Sequence, residues 1–192
     1  MRRISPLLLC AAVVALAACS PAEAPAAKGE GAAAEAALTG FSHPAGKDLF
    51  GYYMPTTDIK AGGLRLEHFH IGDEKEFADW EAGQLSATYS PVMFEFADVT
   101  SPIETNEMGG EVHAERPRAL ADAYRIGEDG SVEFVDNHAS IGKITFSGKL
   151  DLAALASAKS ETGTDNPTVL TGTLTVAGQK FENVAFTWFG GD

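Results

Sequence analysis

Hydrophobic and polar residues alternate with a period of two along several stretches of this chain. Such alternation is typical of β-strands that bury one face and expose the other. The clearest example is residues 144–152, whose hydrophobic positions are Ile144, Phe146, Leu150 and Leu152, with Gly148 between them. The same pattern in residues 91–99 places Val92, Phe94 and Phe96 on one face. We therefore predict half-buried strands in both stretches.

Two β-hairpins are predicted from turn residues between alternating stretches. Residues 168–177 and 180–189 both have the strand pattern, and Gly178-Gln179 supplies the turn between them. Glu-Asp-Gly at residues 128–130 precedes Val132 and Phe134 and marks another hairpin turn.

The last predicted strand contains a phase shift. Phe181 is out of phase with three later hydrophobic residues, Val184, Phe186 and Trp188. One extra residue in a strand moves the following side chains to the other face, so a β-bulge near residues 182–183 would bring all four to the core. We expect Phe186 and Trp188 to be buried on the same face.

Helix is predicted in only two short stretches. Residues 73–83 place Phe77 and Trp80 on one side, and residues 151–159 give a short amphipathic segment that begins with Asp, a favourable N-cap residue. Residues 41–192 as a whole predict seven to ten short strands. The most economical fold is mostly β, a single antiparallel β-sandwich with one or two short helices, and a small β-barrel is the alternative.

The predicted strand at residues 64–71 carries two histidines. Uninterrupted alternation would place His68 and His70 on the same face as Leu64 and Leu66. The Cα atoms of residues i and i+2 in a strand are about 6.5–7 Å apart, so both imidazoles would project from one side. Two such rings can share a zinc or copper ion if at least one further ligand joins them.

A second group of metal-ligating residue types lies at residues 111–115, Glu-Val-His-Ala-Glu. An extended chain would put Glu111, His113 and Glu115 on one face. The candidate zinc or copper ligands are therefore His68, His70 and His113. The alternative is that these histidines are ordinary hydrogen-bonded strand residues and that no cofactor is bound.

No motif in the sequence specifies a reaction. A nucleophile elbow, a Cys–His pair, a phosphate-binding loop, a zincin helix and an EF-hand loop are all lacking. The acidic run at residues 73–81 is best explained as the solvated face of a helix. We therefore expect a protein that is not an enzyme, and a hydrolase with a concealed site is the least favoured reading.

The first 18 residues have the layout of a secretory signal peptide. Arg2 and Arg3 supply the positive region, and residues 7–16 form an apolar stretch that is too short to span a bilayer as a helix. Residues 16–19, Leu-Ala-Ala-Cys, follow directly.

That ending resembles the lipobox of bacterial lipoproteins. The resemblance covers only the leader, and it implies that residues 1–18 are removed and that the thiol of Cys19 carries a diacylglycerol group. Several acyl chains on one residue would anchor the chain firmly, because each buried methylene contributes about 0.8 kcal/mol. Ser20, where an Asp would favour retention in the inner membrane, implies sorting to the outer membrane.

Residues 19–40 join the predicted anchor to residues 41–192, the predicted β domain. Between residues 20 and 39 only Leu38 is a sizeable apolar residue, and Pro21 and Pro25 disfavour helix, so we expect a flexible tether. Cys10 would leave with the leader and Cys19 would carry lipid, which leaves the mature domain without a thiol for a disulfide.

The acidic charge of the chain limits its partners. The net charge is −13, and removing residues 1–18, which hold two arginines and no acid, takes it to −15. Such a protein repels nucleic acid. The leading hypothesis is a lipid-anchored outer-membrane protein, with its domain in the periplasm or at the cell surface, that binds an envelope protein or a small ligand. The alternative is a periplasmic zinc- or copper-binding lipoprotein.

Overall fold

A computed structural model describes residues 37–160 and 166–191, so the predicted leader and Cys19 lie outside the described residues. The strands, in chain order, are β1 (Phe41–Ser42), β2 (Gly51–Pro55), β3 (Lys60–Ala61), β4 (Leu64–Ile71), β5 (Val92–Asp98), β6 (Ile103–Thr105), β7 (Glu111–His113), β8 (Arg118–Leu120), β9 (Ala123–Ile126), β10 (Ser131–His138), β11 (Gly142–Leu150), β12 (Thr168–Val176) and β13 (Gln179–Phe189). The helices are α1 (Glu74–Glu81) and α2 (Leu152–Lys159).

Eleven of these strands form one sheet in the order β1-β9-β10-β11-β12-β13-β2-β4-β5-β8, with β3 beside β4. Neighbouring strands run antiparallel, except that β1 runs parallel to β9. The sheet curls into a half-barrel around the core, and β6 and β7 form a separate hairpin. The predicted mostly β fold with two short helices is confirmed.

The core on the inner face of the sheet is built around phenylalanines from five strands. Phe69 stacks on Phe94 with ring centroids 4.5 Å apart, and Phe94 contacts Phe134 and Phe146 at 5.1 and 5.6 Å. Phe146 in turn meets Phe186 at 5.9 Å. All five are at most 2% exposed. Burying each of these side chains is worth about 1.5–3 kcal/mol, so the cluster joins the two halves of the sheet without a disulfide.

The glycine in the predicted alternation of β11 makes room for one of these rings. Gly148 pairs with Gly172 on β12, and the ring of Phe146 lies over both. A Cβ atom at either glycine would come within 2.5–2.6 Å of that ring. Glycine at both positions therefore allows Phe146 to lie flat against the sheet.

The predicted C-terminal hairpin and its bulge are both confirmed, but the turn is Ala177-Gly178 and not Gly178-Gln179, because Val176 pairs with Gln179. The register shifts because Gly172 pairs with Val184 and Leu174 with Phe181, which leaves residues 182–183 opposite Thr173 alone. Asn183 takes a left-handed conformation with φ of 56°, which is typical of a bulge. Phe186 is fully buried.

Trp188 is only partly buried, contrary to the prediction of full burial. Its ring nitrogen Nε1 donates a 3.0 Å hydrogen bond to the carbonyl of Phe50. The ring also lies against Gly51. The ammonium group of Lys159 lies over the ring, 5.3 Å from its centroid. The polar edge of the indole thus keeps the side chain at the rim of the core.

Both helices begin where the sequence predicts. The carboxylate of Asp73 accepts from the backbone N–H of Glu76, and the Glu76 carboxylate accepts from the N–H of Asp73, which completes a capping box at α1. Asp151 caps α2 by accepting from the N–H groups of Ala153 and Ala154. Neither helix, nor any other in the described part of the chain, has the length and apolar character needed to cross a membrane.

Strand β4 has the predicted bounds but not the predicted phase. Leu66 pairs with Phe96 and His68 with Glu95, so Glu67 is an extra residue and forms a bulge. After this bulge Phe69 rather than His68 continues the inner face begun by Leu66. The prediction that Leu64, Leu66, His68 and His70 share one face is therefore wrong, because the bulge moves both histidines to the outer face.

Candidate functional site

Strand β5 and residues 69–71 of β4 are buried on both faces. Their inner residues belong to the phenylalanine core, whereas three outer residues, His70, Met93 and Glu95, are only 2%, 4% and 3% exposed and lie outside that core. A buried face that combines a histidine, a thioether and a carboxylate is unusual, because most buried positions are apolar. This part of the molecule is the candidate functional site.

Cross-strand pairing defines two rows of side chains on this outer face. The first row is Tyr52 on β2, His70 on β4, Met93 on β5 and Leu120 on β8. The second row is His68, Glu95 and Arg118. Directly paired residues in antiparallel strands have Cβ atoms about 4.5–5.5 Å apart, so each row brings its members side by side. We call the set Tyr52, His68, His70, Met93, Glu95 and Arg118 the histidine face.

Aromatic rings surround the two imidazoles. The ring of Tyr52 lies 5.0 Å from His68 and 5.0 Å from His70, measured between centroids. Phe50 meets His70 edge-on at 5.9 Å, and Tyr89, from the segment between α1 and β5, lies 5.6 Å away. These rings exclude water from much of the site.

Tyr89 contacts His70 through its hydroxyl group. That hydroxyl lies 2.8 Å from Nε2 of His70, and burial, followed by the nearby Glu76 carboxylate, raises the pKa of Tyr89. The tautomer of His70 decides the direction of this hydrogen bond: a ring with Nε2–H donates to the tyrosine oxygen and leaves Nδ1 as an acceptor.

Burial keeps both histidines neutral. Burial, with smaller contributions from the neighbouring His68 and Arg118, lowers the pKa of His70 to about 4. The pKa of His68 is also lowered, mainly by burial, while the charge of Glu95 acts in the opposite direction. At neutral pH both rings therefore offer uncharged nitrogen donors.

Glu95 is held by two arginines. Its Oε1 accepts from Arg116 at 2.5 Å and its Oε2 from Arg118 at 2.6 Å, while both arginine side chains remain more than 40% exposed. Arg118 also donates to the carbonyl of Thr88 at 3.2 Å. Both carboxylate oxygens are thus engaged, and the buried charge is compensated from the solvent side.

Two ring nitrogens of the histidine face lack a hydrogen-bond partner among the described residues. They are Nε2 of His68 and Nδ1 of His70, and each is buried. Buried polar atoms are satisfied in the great majority of proteins, so each exception requires an explanation.

The third predicted metal ligand, His113, lies at the end of β7 in the separate hairpin. Its Nδ1 is 3.4 Å from the carbonyl of Ser101. No three His, Cys, Asp or Glu side chains in residues 37–160 and 166–191 are grouped so that they could hold a metal ion. The set of His68, His70 and His113 therefore stays a prediction without geometric support.

The remaining histidines have structural roles. His43 stacks on Phe77 at 4.1 Å and binds Oε1 of Glu81 at 2.7 Å, and Tyr124 donates to the same oxygen at 2.9 Å. Nδ1 of His138 accepts from backbone N–H groups in the turn after β10.

Sequence reasoning singled out His68 and His70 but missed their neighbours Met93, Glu95 and Tyr89. Residues 92–97, Val-Met-Phe-Glu-Phe-Ala, contain the only available signal, a glutamate inside an otherwise apolar strand. Such a residue must be paired, and the Arg-Pro-Arg at 116–118 supplies the partners.

The chain has no significant match among protein-family profiles, characterised protein sequences or solved structures.

Proposed function

We propose that this protein is a lipid-anchored domain of a bacterial cell envelope that acts by binding and not by catalysis. The observation that carries the proposal is the run Leu16-Ala17-Ala18-Cys19 after a charged and then an apolar stretch. This arrangement would place residues 41–192 on the outer membrane, facing the periplasm or the outside of the cell.

The way the chain joins the domain fits a tethered arrangement. Strand β1 pairs with β9 from its first residue, and the ring of Phe41 packs against Trp80 at 6.0 Å and Tyr124 at 5.2 Å. The chain is therefore part of the folded sheet from residue 41 onward.

Anchoring is tested by two substitutions at the predicted lipobox. Cys19→Ala should abolish labelling with a radioactive fatty acid and leave an uncleaved precursor, because no other thiol is available at the cleavage site. Ser20→Asp should keep the lipid but move the protein from the outer to the inner membrane in a density gradient. A Cys19→Ala variant that is still acylated at its N-terminal peptide would refute the proposal.

The β6–β7 hairpin is the best candidate for contact with a protein partner. It forms its own two-stranded sheet and exposes Ile103 (54%) and Met108 (89%). Three acidic residues lie beside them, Glu104, Glu107 and Glu111. Exposed apolar side chains with a charged surround are typical of interaction surfaces, so the partner should offer an apolar pocket with basic residues around it.

Photo-crosslinking can test this contact in intact cells. A photoreactive phenylalanine analogue at position 108 should give a discrete crosslinked envelope protein. The same analogue at position 85 is the matched control, since Leu85 is also exposed (62%) but lies away from the hairpin in sequence. Identical products from both positions would argue against a specific hairpin contact.

A further inference from the structure

Two buried imidazole nitrogens of the histidine face have no hydrogen-bond partner among the described residues. Nε2 of His68 and Nδ1 of His70 belong to residues two apart on β4, whose side chains project from the same side. In the tautomer whose Nε2–H donates to the Tyr89 oxygen, Nδ1 of His70 carries the lone pair. The strand thus presents two buried ring nitrogens that make no hydrogen bond within the described residues.

Met93 adds a third donor of a different kind. It is the direct cross-strand partner of His70 and is diagonal to His68, because His68 pairs with Glu95 two residues along β5. The side chain is 4% exposed and does not belong to the phenylalanine core. Paired and diagonal neighbours lie about 4.5–8 Å apart at Cβ and Cα, which is close enough for two rings and a flexible thioether to converge.

We propose that His68, His70 and Met93 bind one copper(I) ion. Nδ1 of His70, Nε2 of His68 and the Sδ of Met93 would be the ligands. This inference goes beyond the lipid-anchored binding domain and does not depend on it, since all three residues lie within the folded part of the chain.

The chemistry of the donors favours copper(I) over zinc(II). A thioether is a soft ligand that selects copper(I), whereas structural zinc takes four ligands that include thiolate, imidazole or carboxylate. The nearest carboxylate, Glu95, has both oxygens engaged by Arg116 and Arg118. Three neutral ligands beside two arginines suit a monovalent cation better than a divalent one.

Tyr89 would act as the outer support of the site. A ligating histidine usually donates its other ring N–H to an oxygen, which fixes the ring and its tautomer. Here the Tyr89 hydroxyl lies 2.8 Å from Nε2 of His70, the nitrogen that would not bind the ion, and its oxygen would accept that N–H. Tyr89 is a positioning residue in this arrangement and does not touch the ion.

The test is a copper(I) titration of the full chain with Cys10→Ser and Cys19→Ser, which removes both thiols. The protein is purified in detergent and titrated without oxygen against the chelator bicinchoninate. We expect one copper(I) per chain. His70→Leu and His68→Gln should each weaken binding by at least about 100-fold, and Met93→Leu by about 10–100-fold, since even outer-shell changes can cost that much.

Matched controls distinguish this site from copper(I) binding at other histidines or methionines of the chain. Met108→Leu removes an exposed thioether and His113→Asn removes the third predicted metal ligand, and neither should change the affinity for copper(I). Tyr89→Phe should weaken binding about 10-fold by releasing the tautomer of His70. Circular dichroism melts of each variant verify that it folds.

Two results would overturn the proposal. One is unchanged copper(I) affinity in folded Met93→Leu, which would show that the thioether is not a ligand. The other is zinc(II) binding at the same residues with equal or greater affinity, because the neutral donor set would then not select the monovalent ion.

Discussion

The two halves of the curled sheet use their outer faces differently. Most of β10 to β13 alternates between a buried inner face and a solvated outer face, as in β12, where Thr171 is exposed while Leu170 and Leu174 are buried. In β5 and residues 69–71 of β4 both faces are buried, and the outer one carries His70, Met93 and Glu95. The first half has the usual pattern of an antiparallel sheet.

The second half departs from that pattern at a cost. Burying a carboxylate that needs two arginines, and two imidazole nitrogens that make no hydrogen bond, is unfavourable compared with apolar packing. Elsewhere in the sheet, the buried positions are filled mostly by apolar side chains. A stretch that keeps polar residues at buried positions is therefore a candidate site for binding. The contrast between the two halves therefore identifies the histidine face from stability arguments alone.

The largest effect should come from the inner face, which both halves share. Phe94→Ala removes a ring that contacts Phe69, Phe134 and Phe146, and should destabilise the domain by about 3–5 kcal/mol. Thr171→Ala on the solvated outer face should cost less than about 1 kcal/mol. Urea denaturation of both variants checks the difference, and equal losses would mean that the inner face is misassigned.

The buried carboxylate of the second half should give the next largest effect. Arg116→Ala together with Arg118→Ala leaves Glu95 buried without a counter-charge, so we expect a loss of about 3–5 kcal/mol. Adding Glu95→Gln to that double variant should restore much of the stability, because the unpaired charge is gone. If the triple variant is no more stable than the double one, Glu95 is not a buried charge that depends on these arginines.

One residue breaks the regular pattern of the first half. Asp136 lies on the inner face of β10 with Val132 and Phe134, and its Oδ2 has no hydrogen-bond partner among the described residues. Burial, with a smaller contribution from the charge of Asp122, raises the pKa of Asp136 to about 6. Folding therefore disfavours its ionised form.

The raised pKa of Asp136 makes the fold less stable as the pH rises. The destabilisation caused by ionised Asp136 is absent below about pH 4, grows as the pH rises to 6 and is complete above pH 6. Asp136→Asn should therefore stabilise the domain by about 2–3 kcal/mol at pH 7 and by almost nothing at pH 4.

Asp129→Asn provides a control of opposite sign. Lys149 and Ser131 hold the pKa of Asp129 below its usual range. Ionised Asp129 therefore stabilises the fold at neutral pH, and this stabilisation is lost as the pH falls. Thermal melts from pH 4 to 8 measure both variants. A stabilisation by Asp136→Asn that does not change with pH would contradict the ionisation argument.

Much of the fold could be predicted from the sequence because its elements depend on local pattern. The alternation in β5 and β11, the Asp caps of both helices and the bulge at residues 182–183 follow from side-chain period and capping preference. The single curled sheet could not be predicted, since strand order depends on contacts distant in sequence, such as β13 with β2.

The candidate site was predictable only in part. His68 and His70 are two apart on a strand, so their shared side was evident, but the bulge at Glu67 is not encoded by any turn residue and the phase was misread. Met93 became visible as a neighbour only through the pairing of β4 with β5. Tyr89 reaches His70 from a segment without regular structure, which no periodicity describes.

The smallest expected effect on stability is at the histidine face itself. His68→Gln should change the free energy of unfolding by less than about 1 kcal/mol, because Nε2 of His68 makes no hydrogen bond whose loss would be costly. Chemical denaturation of the variant measures this directly. A loss as large as that of Phe94→Ala would mean that His68 supports the fold and is not held for binding.

The central claim is that the histidine face holds donor atoms ready for a ligand, and NMR of the histidine rings and methionine methyl groups tests it most directly. The thiol-free full chain is observed with and without silver(I), a redox-inert substitute for copper(I). We predict that Nδ1 of His70 is unprotonated before silver(I) is added, as in the tautomer whose Nε2–H donates to Tyr89. One equivalent of silver(I) should then shift Nδ1 of His70, Nε2 of His68 and the methyl group of Met93, while Met54 and Met108 stay unchanged. Shifts at Met108 or His113 in place of these atoms, or no shift at all, would contradict the account.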